Sequence, residues 1–202
     1  TVSVRLIDSV GYMVKGAMGQ FEDGQPRMVM TPWFEEEIPM AEAAEIGTRK
    51  VITEHSTIGI VVTTDGSITD IDREDYIEPE DRVIEELKEL GKPFIVLLNC
   101  EDPGSQKAQA ISQEITKKHG VVCMPINCLT LNEQDIKNIL QAVLFEFPLC
   151  ELDLFLPSWV DALQMDHPIK SGIYTRIRGA TAHLEHVRQV RSAMEEVGNG
   201  DE

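Results

Sequence analysis

No apolar run in this sequence approaches the ~20 residues that a membrane-spanning helix needs, and no signal-peptide pattern opens it. Cysteine pairs are also missing. Cys100, Cys123, Cys128 and Cys150 form no CxxC motif, and each lies in or beside an apolar run. Free thiols in a reducing cytosol are expected, rather than disulfides or structural zinc. Basic residues are scarce: 18 Lys and Arg stand against 35 Asp and Glu, for a formal net charge of −17. Such a surface repels a phosphate backbone and excludes general nucleic-acid binding. The acid is concentrated between Asp65 and Glu89, where eleven acidic residues meet three basic ones. Histidines are few, and the i, i+3 pair His183 and His186 reads as helix-surface residues rather than a metal site. The first residue is Thr1 and not Met, which reads as a processed or excised chain.

What is present is an alternation of β-branched apolar runs and amphipathic segments. The 202 residues, 42% hydrophobic, suit one domain with an appended helical element. Residues 2–8 read as a strand. From Ser9 to about Pro39 the chain is loop-like and carries Trp33 and Phe34 ahead of the acidic run Glu35-Glu36-Glu37. A loop of that length is functional or mobile. A helix follows from about Met40 to His55, with Gly47 as its weak point. Thr57 to Thr64 reads as a strand buried on both sides and closed by an Asp65-Gly66 turn. Pro79 to Leu90 reads as a helix with Pro79 in its first turn and Gly91 at its end. Then come a strand at Pro93–Leu98, a helix at Ser105–His119 stopped by Gly120, a strand at Val121–Ile126 and a helix at Asn132–Phe145.

This order predicts an α/β fold with a mostly parallel sheet flanked by helices. Ligands in such folds bind beyond the C-terminal strand ends, here Asp8, Thr63 to Asp65, Asn99 and Asn127. After Pro148 the rhythm changes. Cys150–Leu156 is an edge strand or an extended connector, Pro157 and Ser158 start a short helix with Trp159, and one long helix is expected from Ser171 to about Val197. The expected division is residues 1–147, and then a connector and C-terminal helical extension over 148–202.

Two strand ends carry residues suited to nucleotide chemistry. Asp8-x-x-Gly11 follows an apolar-rich run: an aspartate there can hold Mg²⁺, and the glycine amide can face a terminal phosphate. Asn99-x-x-Asp102 follows PFIVLL, where nucleotide-binding G domains carry N-K-x-D. Cys100 stands at the Lys position, which argues against guanine specificity. Asn127-Cys128 falls where such domains have a short base-contacting loop. The candidates are therefore Asp8 and Gly11 for catalysis, Asp8 for the metal, and Asn99, Asp102 and Asn127 for the base. Tyr12 replaces the Gln that often follows DxxG, so an attacking water would be oriented from elsewhere. A phosphate-cradling GxxxxGK[ST] loop is nowhere in the sequence, and Gly91-Lys92-Pro93 cannot serve. In G domains that loop and the switch threonine precede DxxG, and the loop's strand lies between the DxxG strand and the one matching residues 57–64. A slot is expected there: filled by another chain, closed up, or accompanied by disorder or rearrangement in residues 12–37.

LIDSVGY, GQPRM, TPWFEEEIP, AEAAEIGTRKVI, EHSTIGIVVTTDGSI, EDRVIEELKELGKPF and FEFPLCELDLFLPSWV together resemble the stage IV sporulation protein A family, the spore-coat morphogenetic ATPases of endospore-forming bacteria. The resemblance runs from Thr1 to about Val160 and is loosest over residues 100–130. It implies a truncated P-loop NTPase domain of G-domain-like architecture, trimmed at both ends and lacking its first strand, Walker A loop and switch threonine. By position Asp8 matches the Walker B aspartate and Gly11 the γ-phosphate-sensing glycine. The family implies ATP and Mg²⁺ as cofactors, both expected to be absent from the chain as given. It also implies ATP-driven self-assembly around the forespore in the mother-cell cytoplasm, recruitment of other coat proteins, and docking on a small amphipathic membrane peptide. The alternative is an acidic scaffold that assembles without nucleotide. A receiver-like or flavodoxin-like module fits the strand rhythm, but the sequence lacks a clustered acidic metal pocket or flavin-phosphate loop.

Overall fold

The computed structural model describes residues 3–198, which fall into two compact units divided between Ile139 and Leu140. The first begins with an extended, solvent-exposed segment over residues 3–10. The strand expected at residues 2–8 does not form over its described part, Val2 lying outside. The reason is physical: a strand is held by a ladder, and Val4 to Asp8 pair with no strand among the described residues.

The stretch expected as one long loop contains two small antiparallel hairpins. In the first, β1 (Phe21–Glu22) pairs with β2 (Gln25–Pro26). Its turn is Asp23-Gly24, with φ of 51° and 78°, the doubly positive geometry that an Asp-Gly pair favours. In the second, β3 (Met28–Val29) pairs with β4 (Ile38–Pro39) and leads into α1 (Met40–Lys50). A single π-helical turn over Val51–His55 extends α1.

The centre of this unit is a three-stranded parallel sheet of β5 (Gly59–Thr64), β6 (Phe94–Asn99) and β7 (Cys123–Ile126), in that order. Gly59 pairs with Phe94 and Thr64 with Asn99; Val96 pairs with Cys123 and Asn99 with Ile126. β6 sits in the middle, so its Phe94–Leu98 run is buried on both faces, as a continuous apolar strand should be. The crossovers are α2 (Glu74–Glu89) and α3 (Gln106–His119). Ile84 and Leu87 of α2 and Ala108 and Ile115 of α3 pack with Val61, Val96, Leu98 and Cys100. Complete burial of Ile84 and Leu87 contributes about 1.5–3 kcal/mol each. Ser105 caps α3 by accepting from the Ala108 amide, and Gly120 ends it at φ 68°.

Helix α2 starts five residues before the predicted position, so Pro79 lies inside it rather than in its first turn. The earlier start is fixed by Arg73, whose guanidinium bonds both oxygens of Glu80 two turns along the helix. Asn132 opens α4 (Glu133–Phe145) by accepting from the amides of Gln134 and Asp135, while Asp135 accepts in return from the Asn132 amide.

The second unit contains α5 (Ser158–Asp161), α6 (Pro168–Thr181) and α7 (Val187–Gly198). The expected single helix over 171–197 is thus two helices, α6 and α7, which pack on each other. The break comes from outside the helix. The Leu149 amide donates to the Glu185 carbonyl and the Val187 amide to that of Phe147, which pulls residues 185–187 into an antiparallel bridge. The Gln189 side chain then accepts from the Glu185 and His186 amides and starts α7 afresh. Cys150–Leu156 forms no strand and is an extended connector. Lys170 is buried, and its ammonium donates to the carbonyl of Asp161, the last residue of α5, and to that of Leu163 just beyond it. Glu146 is buried beside Arg188, whose Nε stands 3.0 Å from Oε1 without a well-aligned hydrogen bond. Burial pushes the Glu146 carboxyl up, and Arg188 and His186 only partly oppose it.

Candidate functional site

The predicted residues fall into two groups. Asn99, Asp102 and Asn127 meet at the C-terminal edge of β6 and β7. Asn99 Oδ1 accepts from the Cys128 amide at 3.0 Å, which ties the two loops together. Asn127 donates to the Glu101 carbonyl at 2.9 Å and accepts from the Leu129 amide at 3.0 Å. Asp102 Oδ1 accepts from the Gly104 amide at 2.9 Å in a tight turn. Beneath them, buried Asp65 accepts from the amide and hydroxyl of Ser67, and the Ser67 hydroxyl in turn accepts from the Glu101 amide. Two adjacent loops are thereby held in fixed register above the sheet.

Cys100 takes no part in that surface. It is fully buried in the core, and its Sγ points to the Ile126 carbonyl at 3.5 Å. Burial, with the nearby Asp65 carboxylate, pushes its thiol up. Burial also raises Cys128, and lifts Cys123 to about 11. These three are protonated thiols at neutral pH and poor nucleophiles.

Asp8 and Gly11 lie elsewhere, in the wall of a cavity of about 370 Å³ that residues 7–14 share with the outer edge of β5. That edge has no strand partner among the described residues. On one face of β5, Ile60 and Val62 are exposed, whereas Val61 and Thr63 on the other are buried. Asp8 itself is exposed. Among the described residues no three His, Cys, Asp or Glu side chains gather as a metal cluster. A lone carboxylate nonetheless suits Mg²⁺, which commonly takes one or two carboxylates and completes its shell with phosphates and water. The phosphate side fits less well: the Gly11 amide, at φ 81°, already donates to the Thr48 hydroxyl at 3.0 Å.

The loop after Gly11 is anchored by contacts that the sequence does not advertise. The Tyr12 hydroxyl donates to Glu86, and Arg82 lies 4.7 Å from the centroid of the Tyr12 ring. Arg82 in turn bonds both oxygens of Glu45 on α1. Burial and the Glu86 contact raise the Tyr12 phenol strongly, so it remains neutral. Glu80 reaches the same cavity while paired with Arg73 at 2.7 Å through both oxygens, and Arg73 also donates to Thr63 at 3.1 Å. The Tyr12 contacts join residues more than thirty positions apart and leave no local pattern. The Arg73–Glu80 pair, which runs from the N-cap of α2 into its second turn, is by contrast local, with a spacing of seven.

A parallel sheet with crossover helices, an Asn-tied loop pair at its C-terminal edge and a DxxG loop beside an open strand edge defines an α/β domain of the P-loop NTPase-like kind. The chain belongs to the stage IV sporulation protein A family: residues 1–148 match the family model for that protein's ATPase domain, and residues 149–202 the model for its middle domain. It is 46% identical over 195 residues to stage IV sporulation protein A of Clostridioides difficile (strain 630), covering 96% of this chain and 40% of the relative. It is 46% identical over 189 residues to the protein of that name from Bacillus subtilis (strain 168), covering 94% and 38%. The chain thus spans about two fifths of the length of these relatives. No solved structure matches it. Among the described residues, no helix is long and apolar enough to cross a membrane.

Proposed function

We propose that this chain is the nucleotide-handling part of a sporulation ATPase, and that the whole protein hydrolyses ATP with Mg²⁺ to drive its own assembly into the basement layer of the spore coat. The observation that carries this reading is the cavity between residues 7–14 and the unpaired edge of β5. It sets the Asp8 carboxylate beside a sheet edge that can accept a further parallel strand, with exposed Ile60 and Val62 ready for a covering helix. A strand, phosphate loop and helix from outside this sequence would complete the sheet, its cover and the phosphate grip together. In that arrangement Asp8 holds Mg²⁺, Gly11 faces the terminal phosphate, and Asn99, Asp102 and Asn127 shape the base pocket. Burial of Cys100, where a purine-covering Lys would stand, supports a base other than guanine.

The partners proposed with this reading are further copies of the protein, other coat proteins, and a small amphipathic peptide at the forespore membrane, all on the mother-cell side. Nucleic acid is not among them, given the net charge of −17. The test is phosphate release and sedimentable assembly by the full-length protein. Asp8→Ala should abolish both, and the 202-residue chain alone should bind Mg·ATP more weakly than millimolar by calorimetry. Tight binding by that chain would sink the reading.

The second reading, a nucleotide-independent acidic scaffold, draws on exposed Asp70, Asp72, Glu74, Glu78, Glu85 and Glu89. It is favoured instead if the full-length protein assembles without nucleotide and Asp8→Ala assembles normally.

A further inference from the structure

We infer that the Thr48 hydroxyl is a built-in competitor for the Gly11 amide, and so sets how sharply the protein distinguishes a nucleoside triphosphate from a diphosphate. The inference rests on the proposal that Gly11 faces the terminal phosphate.

The Gly11 N–H donates to Thr48 Oγ1 at 3.0 Å, across 37 residues of sequence. Thr48 is 4% exposed and fixed on α1, so its hydroxyl is not a passing surface contact. Both residues line the cavity against β5, where the phosphate end of a nucleotide would sit. An amide has one hydrogen, and it cannot serve a hydroxyl and a phosphate oxygen at full strength together. With the cavity empty of anion, Thr48 spares the amide the cost of an unmet donor. With a terminal phosphate present, the amide must change partners.

The surroundings make that exchange discrete. Tyr12 holds the next position of the loop on α2 through Glu86 and Arg82, and Arg82 joins α2 to α1 through Glu45. The amide therefore changes partners either by rotation of the buried Thr48 side chain or by a shift of the loop against two helices that are themselves tied together. A diphosphate does not reach Gly11 and leaves the Thr48 bond intact. Thr48 thus lowers affinity for the triphosphate alone.

The experiment uses the full-length protein with Thr48→Val, which keeps shape and removes the hydroxyl, and Thr48→Ser, which restores it. Calorimetry with Mg²⁺ and a non-hydrolysable ATP analogue should give about 5-fold tighter binding for Thr48→Val, the worth of one released neutral hydrogen bond. Mg·ADP affinity should stay within about twofold, and Thr48→Ser should behave as wild type. Thr48→Ala repeats the test if the valine variant does not fold. Equal shifts for both nucleotides, no shift, or weaker triphosphate binding overturns the inference and leaves the ATPase reading standing. A wild-type protein that binds neither nucleotide overturns that reading, and the inference falls with it.

Discussion

His119, in the last turn of α3, places Nε2 2.8 Å from Asp81 Oδ1 on α2. Its Nδ1 faces Glu85 at 3.2 Å, and Lys118 reaches Asp81 at 2.6 Å. Both ring nitrogens thus face carboxylate oxygens of α2, which ties the end of α3 to that helix. Burial works to raise the Asp81 carboxyl, but the bonds from Lys118 and His119 outweigh it and hold it below its usual range. A depressed carboxyl contributes stability above the unfolded aspartate value of about 3.9 and loses it as pH falls through the folded value. Denaturant midpoints of the wild type should therefore drop below about pH 4, while Asp81→Asn should be less stable at neutral pH and flatter in acid. His119→Gln should cost about 1–2 kcal/mol through the lost contacts to Asp81 and Glu85. A wild-type profile no steeper in acid than that of Asp81→Asn would refute the assignment.

Arg73 and Glu80 form the most buried ion pair among the described residues of the first unit, at 13% and 3% side-chain exposure. Removing Arg73 leaves the largely buried Glu80 carboxylate without its cation. Arg73→Ala should cost about 3–5 kcal/mol in urea unfolding, whereas replacing both residues with Met and Leu should recover most of the loss. Equal destabilisation by the single and double changes would show that the charges are not what matters.

Trp33 explains the glycine in the middle of α1. A Cβ at position 47 would stand 3.2 Å from Trp33 Cη2. Trp33 is partly exposed, with Lys50 5.8 Å from its ring centroid, so it can yield outward. Gly47→Ala in a Trp159→Phe background should shift Trp33 emission to the red. Helix stability should gain less than about 1 kcal/mol. Unchanged emission would mean that the ring does not rest on this helix.

Glu146 has the opposite sign to Asp81. Its raised folded value means that the native state holds its proton longer than the unfolded chain does. Stability of the second unit should fall as pH rises from about 4.3 through that folded value. Glu146→Gln should remove the fall and be no less stable than wild type at pH 7, as read by thermal unfolding across pH. A large loss at pH 7 would indicate that Arg188 needs the charge.

Much of the central sheet can be read locally. FIVLL has to be buried on both faces, and Ser105 and Gly120 mark the ends of α3 for ordinary capping reasons. Asn99, at the end of that same run, joins two loops through the Cys128 amide. Elsewhere distant contacts override the local pattern. Val4 to Asp8 have strand composition but no ladder. The periodicity across 171–197 is helical throughout, yet residues 147–149 claim the backbone at 185–187. The Gly11–Thr48 bond spans 37 residues and no spacing rule reaches it. Asp23-Gly24 is different: the hairpin signal is present in the sequence, and a loop reading passes over it.

The open edge of β5 also matters for handling the protein. It is a β-branched strand, Gly59 to Thr64, without lysine or proline to guard it, and with Ile60 and Val62 in water. Such edges recruit one another, so the isolated chain is an aggregation hazard from the moment it leaves the ribosome. Expressed alone, it should reach inclusion bodies unless a charge is placed at Val62 or a chaperone shields the strand.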